Sequence, residues 1–395
     1  MPAALADTRL VLRPMPAAVF GAGAIAALPG IVRGTGGEAV AIVTDAALAA
    51  TVVVAGVTAV LAADGIPAAV FDGVHANPTT EDVAAGAGQA AALAGDGTQI
   101  TVVAVGGGSV IDAAKGIALA AVNPQRGRDL DYRGTFGRAP LPLVAVPTTA
   151  GTGAEANAFG VVTDVAAGRK FYVGDARCLP AAAVLDPDLT LGLPPAATAA
   201  TGMDALTHAL ESYLSRRANP WSDGIALQAM RMISAHLPRA HADGADREAR
   251  SQMLLAAHLA GVGMATTGLG IGHAIGHALG GRFGIAHGVA LSLVLPQVLR
   301  FNLATSQDRL ADVAFALGAG DTARDQAGNA AAAVEAATRL RDGLGLGGGL
   351  AGHGITPADF GQVSADALDD EVLASTPRTP TAADITEILA AAGGA

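Results

Sequence analysis

Residues 1 to about 190 alternate short β-branched runs with alanine-rich runs of helical spacing, the signature of a parallel α/β layer. The strand segments are Ala39–Thr44, Ala68–Phe71, Ile100–Val105 and Leu143–Val146. Each is followed directly by Gly, Asp or Pro, so turn formers load the loops beyond the carboxyl ends, where such sheets gather ligands. After Leu193-Pro194-Pro195 the strand signals fade. Helical runs of Ala, Leu and Met then cover Ala196–Ser215, Pro220–His236, Arg247–Thr266, Gly288–Asn302, Arg324–Asp342 and Ala382–Ala392. The pattern predicts a Rossmann-like parallel α/β domain over residues 1–193 and an all-helical domain over residues 194–395. Gly343–Gly354 reads as a flexible connection, and no fixed-period repeat is present.

Composition agrees with two cores rather than one, since 395 residues exceed a single ordinary core. Apolar residues make up 51 % but aromatics only 3 %, so the hydropathy comes from small side chains. The 52 glycines are spread along the chain, which suits many turns and close backbone approaches. A net charge of −11 argues against a nucleic-acid surface, which needs clustered Lys and Arg. Cys178 is the single cysteine, so no intrachain disulfide forms and a reducing cytoplasm is expected. The amino terminus has no basic segment leading into an apolar run, so no secretory signal is expected. Met253–Gly281 lacks Asp, Glu, Lys and Arg and imitates a membrane span. It also holds His258, His273, His277 and eight glycines, which predicts a buried core helix and no membrane partner.

Three regions are candidates for phosphate or ribose contacts. Val102–Val105 runs into Gly106-Gly107-Gly108-Ser109, and Val110–Lys115 then starts a helix. Three glycines let the backbone approach a pyrophosphate, and the helix amino terminus offers unpaired N–H groups and a positive dipole end. Ser109 with Asp112 also fits a capping box. Pro147–Gly153 follows another strand with three threonines among glycines, suited to phosphate or ribose hydroxyls. Near the amino terminus Gly21-x-Gly23 with Ala26 forms a weak dinucleotide fingerprint, and Asp45 ends the next strand. A carboxylate there would hold a ribose 2′-hydroxyl and repel a 2′-phosphate, so NAD(H) is expected over NADP(H).

Metal chemistry gathers in the second half. Asp204 and His208 are four apart in a helical run and share one face. His273 and His277 repeat the spacing, and His287 follows ten residues later. One carboxylate with two or three neutral imidazoles suits Fe²⁺ or Zn²⁺, and the absence of thiolates argues against a closed structural zinc site. Clustered buried imidazoles need partners or a cation. His75, His236, His241, His258 and His353 are read as ordinary residues. A metal in one domain and a pyrophosphate site in the other imply a cleft between them.

Gly106–Lys115 (GGGSVIDAAK), Pro147–Glu155 (PTTAGTGAE), Gly202–Ser215 (GMDALTHALESYLS) and Gly268–Gly288 (GLGIGHAIGHALGGRFGIAHG) together resemble the iron-containing, or group III, alcohol dehydrogenases. The likeness extends to Val43-Thr44-Asp45, Asn77-Pro78-Thr79, Asp186-Pro187 and Pro377-Arg378-x-Pro380-Thr381. It implies metal ligation by Asp204, His208, His273 and His287, with Fe²⁺ or sometimes Zn²⁺. It also implies that His277 lies near the nicotinamide and relays protons. Cofactor contacts are implied at Asp45, Asn77, Gly107, Gly108, Ser109, Asp112, Thr148, Thr149, Thr152 and Lys170. Members combine a Rossmann-like domain with a helical one and form homodimers or larger homo-oligomers.

The resemblance implies reversible hydride transfer between a small primary or short secondary alcohol, or its aldehyde, and NAD(H). Departures are Ala278 where many relatives have Pro, Leu291 where many have Asn, and Thr266 and Phe159 where some have Asn. Phe159 falls beside the substrate cleft and makes that pocket less polar. Two rivals are a maleylacetate-reductase-like oxidoreductase, whose relatives lack the full ligand set, and a dehydroquinate-synthase-like lyase. The lyase needs several Lys and Arg for a phosphate-bearing substrate, whereas only Arg216, Arg217 and Arg282 lie near the metal segments.

Overall fold

Six parallel strands form one sheet and thirteen helices surround or follow it in the computed structural model, which describes residues 12, 14–95, 97–167 and 169–393. The amino-terminal residues read for a leader fall largely outside that range. The strands are β1 Ala17–Phe20, β2 Ala39–Val43, β3 Ala68–Phe71, β4 Ile100–Gly106, β5 Leu143–Pro147, β6 Phe159–Asp164, β7 Arg169–Gly174 and β8 Ala182–Leu185. The first-half helices are α1 Leu28–Gly34, α2 Ala46–Ala49, α3 Val52–Ala63, α4 Thr80–Leu93 and α5 Gly108–Ala120. The sheet runs β1-β8-β5-β4-β2-β3, while β6 and β7 form a separate antiparallel hairpin.

Helices cover both faces of the sheet, which is why β2, β4, β5 and β8 are buried at every position and read as continuous apolar runs. The period of two survives inside those runs. Ala41, Val43, Val102 and Ala104 pack with Val83 of α4 and Ile111 and Ile117 of α5. Their neighbours Val40, Ile42, Val103 and Val105 pack with Leu28 of α1 and Leu61 of α3. The alanine-rich β8 keeps this alternation, with Val184 on one face and Ala183 and Leu185 on the other, whereas the short edge strand β1 is exposed; neither carries a strand signal in the sequence.

Strand order places the ligand crevice. From β2 the chain continues to β3 on one side, whereas β4, β5 and β8 build out on the other. The switch lies between β2 and β4, whose last pair is Val43 with Ala104, so Asp45 and the Gly106–Ser109 turn flank it. The Gly21-x-Gly23 turn lies elsewhere, after edge strand β1, and does not serve as the expected pyrophosphate turn. Asp186 accepts hydrogen bonds from Gly23 N and Ile25 N, each at 3.1 Å, so the donors a phosphate needs are already taken.

The second half is helical: α6 Pro195–Leu214, α7 Pro220–Ala242, α8 Arg247–Thr267, α9 Ile271–Phe283, α10 His287–Ala316, α11 Gln326–Gly343, α12 Phe360–Leu368 and α13 Ala382–Ala392. The uncharged stretch from Met253 to Gly281 is not one core helix but parts of α8 and α9, bent by 105°. Gly268, at φ 75°, ends α8. Helix α10 runs past the expected end at Asn302 with a non-helical Ser306 inside it; it is long and apolar enough to span a bilayer, but 61 % of its apolar window is buried within the protein. Gly343–Gly354 also departs from expectation. Leu350 is fully buried there, and Ala351 N donates to Gly393 O at 3.0 Å, so the segment is pinned against the chain's end.

Candidate metal and cofactor cleft

Helix α6 presents Asp204, His208 and Glu211 on one buried face, as spacings of four and three require. Helix α9 contributes His273 and His277 one turn apart, and His287 opens α10. Glycine sets the close approach of α10 to α6: a Cβ at Gly288 would lie 2.0 Å from Ala200 O. Only a bare α-carbon lets His287 reach Asp204.

Asp204 Oδ1 lies 3.6 Å from His208 Nε2, 3.7 Å from His273 Nε2 and 3.7 Å from His287 Nε2. These distances are too long for hydrogen bonds. Ligand atoms of Asp204, His208 and His273 all fall within 4.8 Å of one another, and all three residues are buried. Asp204 Oδ1 and His273 Nε2 are buried without a hydrogen-bond partner. Orphaned buried polar atoms are costly, and a divalent cation shared by one oxygen and three nitrogens would satisfy them together. The residues therefore fit Fe²⁺ or Zn²⁺, and the donor set does not choose between them.

Electrostatics support the same reading. Burial works to raise the Asp204 carboxyl, but His208, His287 and His273 outweigh it and hold the group well below the usual carboxylate range. Burial pushes His208 down to about 4, so its imidazole is neutral at pH 7, the form that can ligate a metal. For His273 burial is overcome by Glu211 and Asp204, which lift it to about 9. A metal arriving there displaces a proton.

Glu211, which no sequence motif singled out, supports the His273 imidazole. It is 6 % exposed, accepts His273 Nδ1 at 2.6 Å, and also accepts Gly270 N and Gly272 N, each at 2.7 Å. One carboxylate thus caps the start of α9 and orients the His273 ring with Nε2 toward Asp204. Its place on the Asp204–His208 face was the available sequence signal. His277 turns the other way: its Nδ1 lies 2.7 Å from Asp370 Oδ2, and its ring stacks on His287 with centroids 5.3 Å apart.

The other end of the cleft, where the sequence places the cofactor, starts at α5. Gly107 caps this helix with no side-chain bond, so Ser109 and Asp112 do not form the expected capping box. Asp112 instead accepts Val161 N at 3.0 Å and ties α5 to β6. A Cβ on Gly108 would lie 2.4 Å from Thr152 Cγ2, and one on Gly107 3.2 Å from Thr149 Cγ2, so the two loops lie against each other. Thr148 N donates to Gly106 O at 3.0 Å. Lys170 Nζ donates to Asn77 Oδ1 at 2.8 Å, and Asn77 sits at φ 56°, a left-handed conformation open to Asn. The wholly buried Lys115 donates to Ala154 O, Asn157 Oδ1 and Phe159 O, fixing the segment beside the Thr-rich loop.

One cleft joins these parts. Asn77, Gly108, Ser109, Asp112, Thr152 and Lys170 share its lining with His208, His273, His277 and His287. Asp45, Gly107, Thr148 and Thr149 stand outside that lining, along the strand ends. Of the histidines read as ordinary, His75 meets Asp82 and His258 meets the buried Glu155 at 3.1 Å.

The family description "Iron-containing alcohol dehydrogenase" matches residues 16–187, and "Fe-containing alcohol dehydrogenase family, C-terminal" matches residues 198–393. The chain belongs to the iron-containing alcohol dehydrogenase family. It is 36 % identical to the NAD-dependent methanol dehydrogenase of Bacillus methanolicus, over 95 % of this chain and 97 % of that protein. It is also 36 % identical to lactaldehyde reductase of Escherichia coli strain K12, over 93 % and 96 % of the two chains. The crystal structure of a 1,3-propanediol oxidoreductase superposes with a TM-score of 0.93 at 36 % identity, covering 98 % of this chain and all of that one. Sulfoacetaldehyde reductase from Bifidobacterium kashiwanohense, in complex with NAD+, superposes with a TM-score of 0.87 at 26 % identity over 98 % and 99 %.

As a member of this family the chain is an oxidoreductase. On the far wall of its cleft Phe159 stands edge-on to Tyr132 and Tyr172, with ring centroids 6.1 and 5.5 Å away. Met264 and Leu269 line the cleft beside it. Aromatic and aliphatic carbon thus faces the histidines.

Proposed function

We propose that this protein is a metal-dependent alcohol dehydrogenase and aldehyde reductase, moving hydride reversibly between NAD(H) and a small primary or short secondary alcohol. The observation that carries the reading is the meeting of three Nε2 atoms on Asp204 Oδ1 at 3.6–3.7 Å, in a cleft whose other end is the uncapped start of α5. Asp204, His208, His273 and His287 would hold the metal, in a helical unit over residues 194–395 that follows a cofactor unit over residues 1–193. Bound there, the ion supplies Lewis acidity that lowers the alcohol's pKa, and NAD+ accepts the hydride.

The chain's own residues do the rest. Glu211 holds His273 in register. Gly107 and Gly108 let the backbone approach the cofactor phosphates, while Ser109, Asp112, Thr148, Thr149, Thr152, Asn77 and Lys170 bind along it. Phe159, Met264 and Leu269 exclude water beside the reacting carbon. His277 takes up and returns the hydroxyl proton. A lyase acting on a phosphate-bearing substrate fits less well, because Lys170 is the only lysine or arginine among the described residues lining the cleft.

The test is NADH oxidation over a panel of short aldehydes, with metal analysis and with chelator. Aldehyde-dependent oxidation that disappears on chelation, in protein carrying about one Fe or Zn per chain, is expected. Turnover unaffected after complete metal removal would overturn the reading.

Asp45 bears on the choice of nicotinamide. It lies two residues beyond β2 at the switch point, and its Oδ1 accepts Leu48 N at 2.9 Å to cap α2. Glycine at a helix cap costs only a few tenths of a kcal/mol, so Asp45→Gly leaves the fold intact. The NADPH-to-NADH ratio of kcat/KM is expected to rise by about 10-fold, since a desolvated like-charge contact is worth on the order of 1.4 kcal/mol. An unchanged ratio would remove Asp45 from the cofactor site.

A further inference from the structure

The hydrogen-bond partner of His277 lies far away in sequence. His277 projects from α9, and 93 residues later Asp370 sits at the start of a short 3-10 turn, Glu371–Ser375, with its Oδ2 2.7 Å from His277 Nδ1. The carboxylate cannot swing freely. Its Oδ1 accepts Val372 N at 3.0 Å and faces Tyr172 OH at 3.5 Å. Both side chains are mostly enclosed, His277 at 16 % and Asp370 at 13 % exposure. On its other side the imidazole stacks on His287 at an interplanar angle of 15°, so the ring is held on two sides.

An ionised carboxylate only accepts hydrogen bonds, and a neutral imidazole has one donor and one acceptor. The short contact to Asp370 therefore places the ring proton on Nδ1 and leaves the lone pair on Nε2. We propose that Asp370 is a positioning residue for the hydride-transfer reaction, holding His277 in the Nδ1–H tautomer so that Nε2 serves as the base of the cleft. In alcohol oxidation the O–H bond breaks and an N–H bond forms at Nε2. The carbon-bound hydrogen leaves with its electron pair to the nicotinamide, and the positive charge on the imidazolium is met by Asp370. Reduction reverses each step with the same groups. No further oxidant or acid is needed.

This inference rests on the dehydrogenase reading, and its test keeps the two apart. The first measurement needs no turnover: ¹⁵N-histidine NMR of the purified protein, assigned with His277→Ala. A His277 signal of the Nδ1–H tautomer with a downfield, hydrogen-bonded proton is expected. In Asp370→Asn, which keeps the size and the bond to Val372 N, that proton moves upfield or is lost. An Nε2–H tautomer in the wild-type protein, or a signal unmoved in Asp370→Asn, would overturn the proposal whatever the enzyme catalyses.

The second measurement is a double-mutant cycle. Asp370→Asn is expected to lower kcat by about 10- to 100-fold, with KM and metal content within about 3-fold of wild type. In a His277→Ala background the same change should lower the residual kcat less than about 2-fold, because Asp370 acts only through the imidazole. Equal losses in both backgrounds would make Asp370 merely structural and sink the idea. Where His277→Ala turns over too slowly to measure, the tautomer measurement decides.

Discussion

Asp204→Asn is expected to abolish stoichiometric metal binding and to lower turnover by on the order of 10³-fold or more, since outer-layer partners alone are worth about 10- to 100-fold. The substitution hardly changes shape. It removes the one negative charge on which the Nε2 atoms of His208, His273 and His287 converge, and puts an amide dipole in its place. Asp204 is 2 % exposed, so water cannot supply the missing charge. A divalent ion would then sit among three neutral imidazoles in a buried site with no compensating anion in contact. Glu211 cannot substitute for it, because its two oxygens are already engaged by His273, Gly270 and Gly272. Metal content by elemental analysis and kcat on the best aldehyde are the measurements. An Asn variant that holds one metal per chain and turns over at the wild-type rate would refute the site.

The second large effect is structural. Gly153→Ala is expected to destabilise the protein by about 2–5 kcal/mol and to raise KM for NADH. Gly153 lies at φ 58°, where an L side chain costs about 1–2 kcal/mol. Its Cβ would also fall 2.5 Å from Gly261 Cα and 2.9 Å from Ala257 O. Both neighbours are backbone of α8, so no side chain can rotate away, and overpacking of this kind costs about 1–3 kcal/mol. The loop must lift from the helix, taking Thr148, Thr149 and Thr152 with it and stretching the buried Glu155–His258 contact of 3.1 Å. A melting-temperature drop of roughly 5–10 °C is the readout. Gly56→Ala serves as the control, because Gly56 lies inside α3 with nothing within 4 Å of its Cβ, and alanine there should stabilise by about 0.5–1 kcal/mol. If Gly153→Ala melts with the wild type, the crossing of this loop over α8 carries none of the stability assigned to it.

The sequence by itself determined whatever depends on neighbours along the chain. Strands β2 to β5 were legible as short apolar runs bounded by turn formers, and the helical second half because burial on one face of a helix leaves a short-period trace. Asp204 and His208 were legible as a pair for the same reason, since four residues make one helical turn. The glycine turn before α5 was legible because strand, glycines and helix start are consecutive.

Only the tertiary structure decided which distant groups meet. The Gly21-x-Gly23 turn has a suitable local sequence, but Asp186, more than 160 residues away, occupies its N–H groups. Ser109 and Asp112 have capping-box spacing, yet Asp112 is spent on Val161. Leu350 pins a glycine-rich segment that composition alone reads as loose. Glu211 and Asp370 are ordinary acids in sequence and become partners of His273 and His277 only when α6, α9 and the turn after α12 are packed together. The physical reason is common to all four cases. A hydrogen bond or an apolar contact is made by proximity in space, and the chain advertises in its periodicity only the contacts that lie within a turn or a strand of one another.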